Sequence, residues 1–150
     1  MQRPRLRDDA GSTLPLVIFY GFLALALVLI VAAAASLYLE RKRLFTLADG
    51  AALVGAESFD LDSVTFTRHG PRPVLQPGQV SAAVASYLAG NPTGTEYGEF
   101  EGLVVERATT VDGESATVTV SAVWHPPVVT VFVPEGLRID ATAVARSVFG

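Results

Sequence analysis

Two histidines, fifteen carboxylates and no cysteine bound the chemistry open to this 150-residue chain. Without a thiol there is no disulfide framework, no thiol nucleophile and no thiolate metal site. His69 and His125 each stand beside Gly or Pro, in stretches that read as turns. No spacing ties either one to a serine and a carboxylate as a nucleophilic triad would require. Asp60-x-Asp62 begins like a calcium loop but lacks the glycine and the distal glutamate of one, so it reads as a solvated loop. Gly90-Asn91-Pro92-Thr93-Gly94 lacks the lysine and the preceding strand of a phosphate-binding loop. Glu96, Glu99 and Glu101 read as a solvent-facing acidic run. These residues point to a non-enzymatic protein with no catalytic residue, no cofactor and no metal.

The elements that would position any site are clearer than the site. Leu14 to Leu39 reads LPLVIFYGFLALALVLIVAAAASLYL, 26 residues without a charge. As a helix it would run roughly 39 Å, against about 30 Å of bilayer hydrocarbon. It is expected to be a transmembrane helix, after a polar tail at residues 1–13. Ser12 and Thr13 before Leu14-Pro15 supply helix-start chemistry. Ala33-Ala34-Ala35 before Ser36 also resembles a signal-peptidase site. The apolar stretch before it, about 20 residues, is longer than the roughly 7–15 of a signal sequence.

Arg3, Arg5 and Arg7 precede the span and Arg41, Lys42 and Arg43 follow it, so the positive-inside rule does not choose an orientation. From Leu44 onward there are five arginines, no lysine and twelve carboxylates, a net of −7. That portion lacks the clustered positive charge that nucleic acid binding needs. Its acidity and strand-rich pattern favour a cytoplasmic N-terminus and an extracytoplasmic domain.

The helix is expected to continue through an amphipathic extension at residues 40–58. Leu44, Leu47, Ala48, Ala51 and Val54 recur at three- and four-residue spacing, with no proline in the stretch. Ala48, Ala51, Ala52, Gly55 and Ala56 form a small-residue face with Asp49 beside it. Such a face lets another element approach closely. It suits packing on the chain's own domain, on a neighbouring subunit, or on both.

Residues 59–150 read as a small α+β domain. Residues 59–76 form an irregular excursion with room for a short strand around Val64–Arg68. A second helix is expected from Gly78 to Ala89, with Val80, Ala83, Val84, Tyr87 and Leu88 as its stripe. Strands follow at Leu103–Thr110, Ala116–Trp124 and Ile139–Val148, the first two joined by a two-residue hairpin at Asp112-Gly113. Val128–Val133 (VVTVFV) is apolar on both faces, as in a central strand or one covered by a partner. A long helix, half in lipid and half cradled by a small antiparallel sheet, is a pilin-like shape.

Asp9-Ala10-Gly11-Ser12-Thr13-Leu14-Pro15-Leu16, the apolar span, Leu39-Glu40-Arg41-Lys42-Arg43-Leu44 and Ala48-Asp49-Gly50-Ala51-Ala52-Leu53 together resemble the N-terminal segment of TadE/TadG-like proteins of the Tad (Flp) pilus system. Those proteins typically show a glycine before the apolar helix and an alanine-rich turn with an aspartate after it. The resemblance implies a membrane-anchored, minor-pilin-like component whose partners are other pilus subunits and the bilayer. It also implies a processing site at Gly11 and Ser12. Processed prepilins usually carry glutamate five residues after the cleavage glycine, where this chain has Leu16; an uncleaved, TadG-like anchored protein fits that residue better. A membrane-tethered ligand-binding or sensory module is the alternative, suggested by the acidic domain and the excursion at 59–76.

Overall fold

The computed structural model describes residues 13–68, 70–90, 100–126, 130 and 134–147. One helix, α1 (Leu14–Ala56), runs 43 residues without a break. Pro15 sits in its first turn, where a missing N–H costs nothing. Its end is closed by the Glu57 N–H donating to the Leu53 carbonyl. Glu40 and Arg43 pair across one turn at 3.9 Å.

A 3₁₀ turn (Leu61–Ser63) leads into a small hairpin of β1 (Thr65–Thr67) and β2 (Gly70–Arg72), then helix α2 (Pro77–Gly90). Three ten-residue strands follow, β3 (Glu101–Thr110), β4 (Ser115–Trp124) and β5 (Leu137–Arg146), in the antiparallel order β3-β4-β5. The fold is α+β: a long apolar helix, a second helix and small antiparallel sheets.

Alternation determines which sheet face is buried. Ala116, Val118, Val120, Ala122 and Trp124 of β4 and Ile139, Ala141, Ala143 and Ala145 of β5 point inward. They meet Leu44, Leu47, Ala48, Ala51, Ala52 and Ala56 of α1 in one core. Val80 and Val84 close it from α2. Small side chains on both sides let the helix lie close on the sheet, while Leu44 and Leu47 supply bulk. Burying each of those two leucines is worth about 1.5–3 kcal/mol.

Four sequence expectations change. The Asp112-Gly113 connection is not a two-residue hairpin, because the last paired residues are Thr110 and Ala116. Asp112 accepts hydrogen bonds from the N–H groups of Glu114 and Ser115, and the Thr110 hydroxyl accepts one from the Gly113 N–H, which stabilises a wider loop. β3 begins at Glu101 rather than Leu103, and β5 runs Leu137–Arg146. The excursion contains a hairpin rather than a single strand. Gly11, Ser12, His69, Glu96, Glu99 and most of Val128–Val133 lie outside the described residues.

Candidate interaction surfaces of the long helix

Helix α1 has two unlike halves. From Leu14 to Ala35 it touches almost nothing, and its apolar side chains are exposed all round, among them Phe19, Phe22, Leu25 and Ile30. From Leu44 upward one side is buried in the domain. The exposed run is long and apolar enough to cross a membrane.

The register of sheet on helix marks where the halves meet. Gly55 lies against Ala116 at the start of β4, and Trp124 at its end donates its indole N–H to the Ser36 hydroxyl at 3.3 Å. Eight strand steps cover about 26 Å and nineteen helix steps about 28 Å, so β4 runs back along α1 at nearly matched rise. The domain therefore reaches down to Ser36. Leu37 packs on the core as well. Below Ser36, 22 residues of α1 remain, about 33 Å of helix.

The small-residue face singled out in the sequence is occupied by the chain's own domain. Ala48, Ala51 and Ala52 are 0% exposed, and Ala56 2%. Gly55 is buried too; a Cβ there would stand 3.2 Å from both Ala116 Cβ and Val80 Cγ1. A Cβ at Gly50 would fall 2.6 Å from the Tyr87 hydroxyl. Gly55 is what lets α2 and the sheet approach α1, whereas Gly50 faces only the tip of the Tyr87 side chain. A neighbouring subunit could reach this face only by displacing α2 and the sheet. A bulky residue at Ala52 or Gly55 would thus break the domain itself, not a contact outside it. Asp49 projects away, exposed and without an ion pair among the described residues.

The two ends of the domain differ electrostatically. At the end far from the exposed span, Glu114 binds Arg72 of β2 at 2.7 Å and Arg146 of β5 at 2.6 Å. Its carbonyl accepts from the Ser147 N–H, and the Gly113 carbonyl from the Leu75 N–H. The Asp112 carboxyl is held down at about 2, first by the Glu114 N–H, then by the Ser115 N–H and hydroxyl. On the outer sheet face Glu106, Ser121 and Arg138 bind one another at 2.7–3.0 Å. Near the span, His125 Nδ1 lies 3.2 Å from Glu101. Arg41 and Lys42 have no ion pair among the described residues. They line an open groove of about 500 Å³ with Tyr38 and Phe45 of α1 and Asp140 to Thr142 of β5.

The described residues hold no group of three or more acidic or histidine side chains placed to bind a metal. Asp60 takes a hydrogen bond from Gln79 and helps close the 3₁₀ turn onto α2. No local sequence pattern signals the Ser36–Trp124 contact, which joins residues 88 apart. The nearest hint was a tryptophan ending a strand of inward-facing apolar residues.

Residues 11–58 match the family model described as "Putative Flp pilus-assembly TadE/G-like". No curated protein and no solved structure matches the chain. The matched residues take in the exposed span and the whole small-residue face of α1.

Proposed function

From the TadE/G-like segment at residues 11–58 as premise, we propose that this chain is a non-enzymatic, membrane-anchored, pilin-like component of Tad (Flp) pilus assembly. One observation carries the reading: a single helix, bare and apolar from Leu14 to Ala35, is buried in a folded domain from Leu44 upward. The bare half dissolves in the bilayer, where a helix satisfies its own backbone groups. Its partners there are lipid and the apolar helices of other pilus subunits. The upper half rigidly connects that anchor to the domain. The anchor sits in the inner membrane with the N-terminal tail cytoplasmic, and the acidic, lysine-free domain lies outside.

We take the membrane boundary to lie at Ser36, lower than Leu39, a reading supported by the domain's reach down to that residue. Trp124 then lies at the interface, where an indole meets both apolar and wet surroundings. Arg41, Lys42 and Arg43 follow at headgroup height. Residues 36–56 and the sheet form the extracytoplasmic unit.

Deleting the chain from its host tests the assembly role. Loss of Flp-type pili, restored by the intact chain, is expected. Pili unchanged in number and length would overturn it. Alkaline carbonate should leave the protein in the membrane pellet; its release would overturn the anchor.

A further inference from the structure

The two edges of the three-stranded sheet are not equally protected. β3 is irregular, with register shifts between Glu101 and Val104 and between Val105 and Arg107. Gly102 within it has φ +60°. Bulges of this kind blunt an edge against pairing. β5 pairs with β4 without a shift over all ten residues, and among the described residues nothing pairs with its other side.

The hydrogen-bond phase of β5 follows from one contact. The Ser147 N–H donates to the Glu114 carbonyl, so odd-numbered residues bond to β4. In an antiparallel ladder the alternate residues then aim N–H and C=O away from the partner. Those of Asp140, Thr142 and Val144 face outward. Asp140 to Thr142 form one wall of the groove, and Tyr38, Arg41, Lys42 and Phe45 form the other.

We propose that this groove receives an extended strand from another protein subunit, added to the edge of β5. Backbone groups of Asp140 and Thr142 supply the pairing, as in strand addition generally. The helix wall specifies the side chains. Tyr38 and Phe45 are 68% and 51% exposed and stand about 10 Å apart along α1, and between them are the two cations that have no ion pair among the described residues. Three alternate residues of a strand span about 13 Å. The incoming strand therefore presents an apolar, an acidic and an apolar side chain in turn toward the helix. This partner contact rests on the assembly reading and adds a second type of contact to it, sheet to sheet at the membrane surface.

The test uses full-length protein in detergent micelles and a fluorescent peptide, Thr-Val-Thr-Glu-Thr-Val-Thr. The peptide should bind about fivefold more tightly than its counterpart with lysine in place of glutamate. Methylating its backbone nitrogens should abolish binding. Thr142→Pro removes an outward N–H that β4 does not use, a placement proline tolerates on an edge strand. That variant should keep its far-UV circular dichroism and lose the peptide by about tenfold or more. Arg41→Glu with Lys42→Glu should reverse the charge preference, a readout independent of how well the proline variant folds. Absence of binding, indifference to N-methylation, or displacement by phosphatidylglycerol vesicles in place of competing strand peptide would overturn the proposal. Any of these with pilus loss intact in the deletion strain would remove the strand contact and leave the assembly role standing.

Discussion

The end of the domain far from the exposed span and the end beside it are built from similar residues to opposite effect. At the far end Glu114 holds Arg72 and Arg146, and Asp112 holds its own loop. At the near end Arg41 and Lys42 are left open beside exposed Tyr38 and Phe45. A closed end needs nothing from outside. An open end beside the proposed membrane span is where lipid and partner subunits would meet the domain. Stability is concentrated in the first and interaction in the second, so substitutions should separate them.

The largest effect is expected where packing closes the near end. Trp124 is 8% exposed and spans from the sheet to Ser36. Trp124→Ala should destabilise the domain by about 3–5 kcal/mol. Trp124→Phe keeps most of the packing but drops the indole N–H, and should cost only about 1 kcal/mol. Chemical denaturation in micelles measures both. Equal losses would mean that the hydrogen bond, not the packing, ties sheet to helix.

At the far end Glu114→Ala removes two ion pairs, but Arg72 and Arg146 are both more than half exposed and screened. About 1 kcal/mol is expected, falling in high salt. No change at low salt would show that the hairpin β1–β2 is held by backbone contacts alone.

Asp112 makes this end acid-sensitive. Its folded value of about 2 lies below the ordinary 3.8. Folding therefore favours the carboxylate, and the stabilisation is present above about pH 4 and lost as pH falls toward 2. Asp112→Asn should melt below the parent at pH 6, and most of the gap should be gone by pH 2. A gap that persists in full at pH 2 would place its origin in loop shape and not in charge.

The smallest effect should come from the open cations. Arg41→Gln with Lys42→Gln should shift domain stability by no more than about 0.5 kcal/mol. A larger loss would mean that these side chains are structural and that the near end is closed after all.

Much of the fold is legible in the sequence because it follows from two periods. Alternation in ATVTVSAVW and RIDATAVAR gives the buried faces of β4 and β5, and Leu44, Leu47, Ala48 and Ala51 give the buried side of α1. What eludes the sequence depends on side chains bonding locally or far apart. Asp112-Gly113 has the composition of a tight hairpin, yet Asp112 and Thr110 bond the loop's own N–H groups and widen it. The small-residue face shows that something packs there but not whether the partner is the same chain. The lower limit of the domain depends on Trp124 meeting Ser36, which no local pattern encodes.

In the proposed anchor α1 passes from lipid to protein at Ser36. The chain has no native cysteine, so single cysteines at each position from Ile30 to Lys42 can carry unique spin labels. In nanodiscs, labels through Ala35 should be accessible to oxygen and shielded from a water-soluble nickel complex. From Ser36 to Leu39 the preference should switch. Water accessibility below Ala35, or lipid exposure persisting past Lys42, would contradict it.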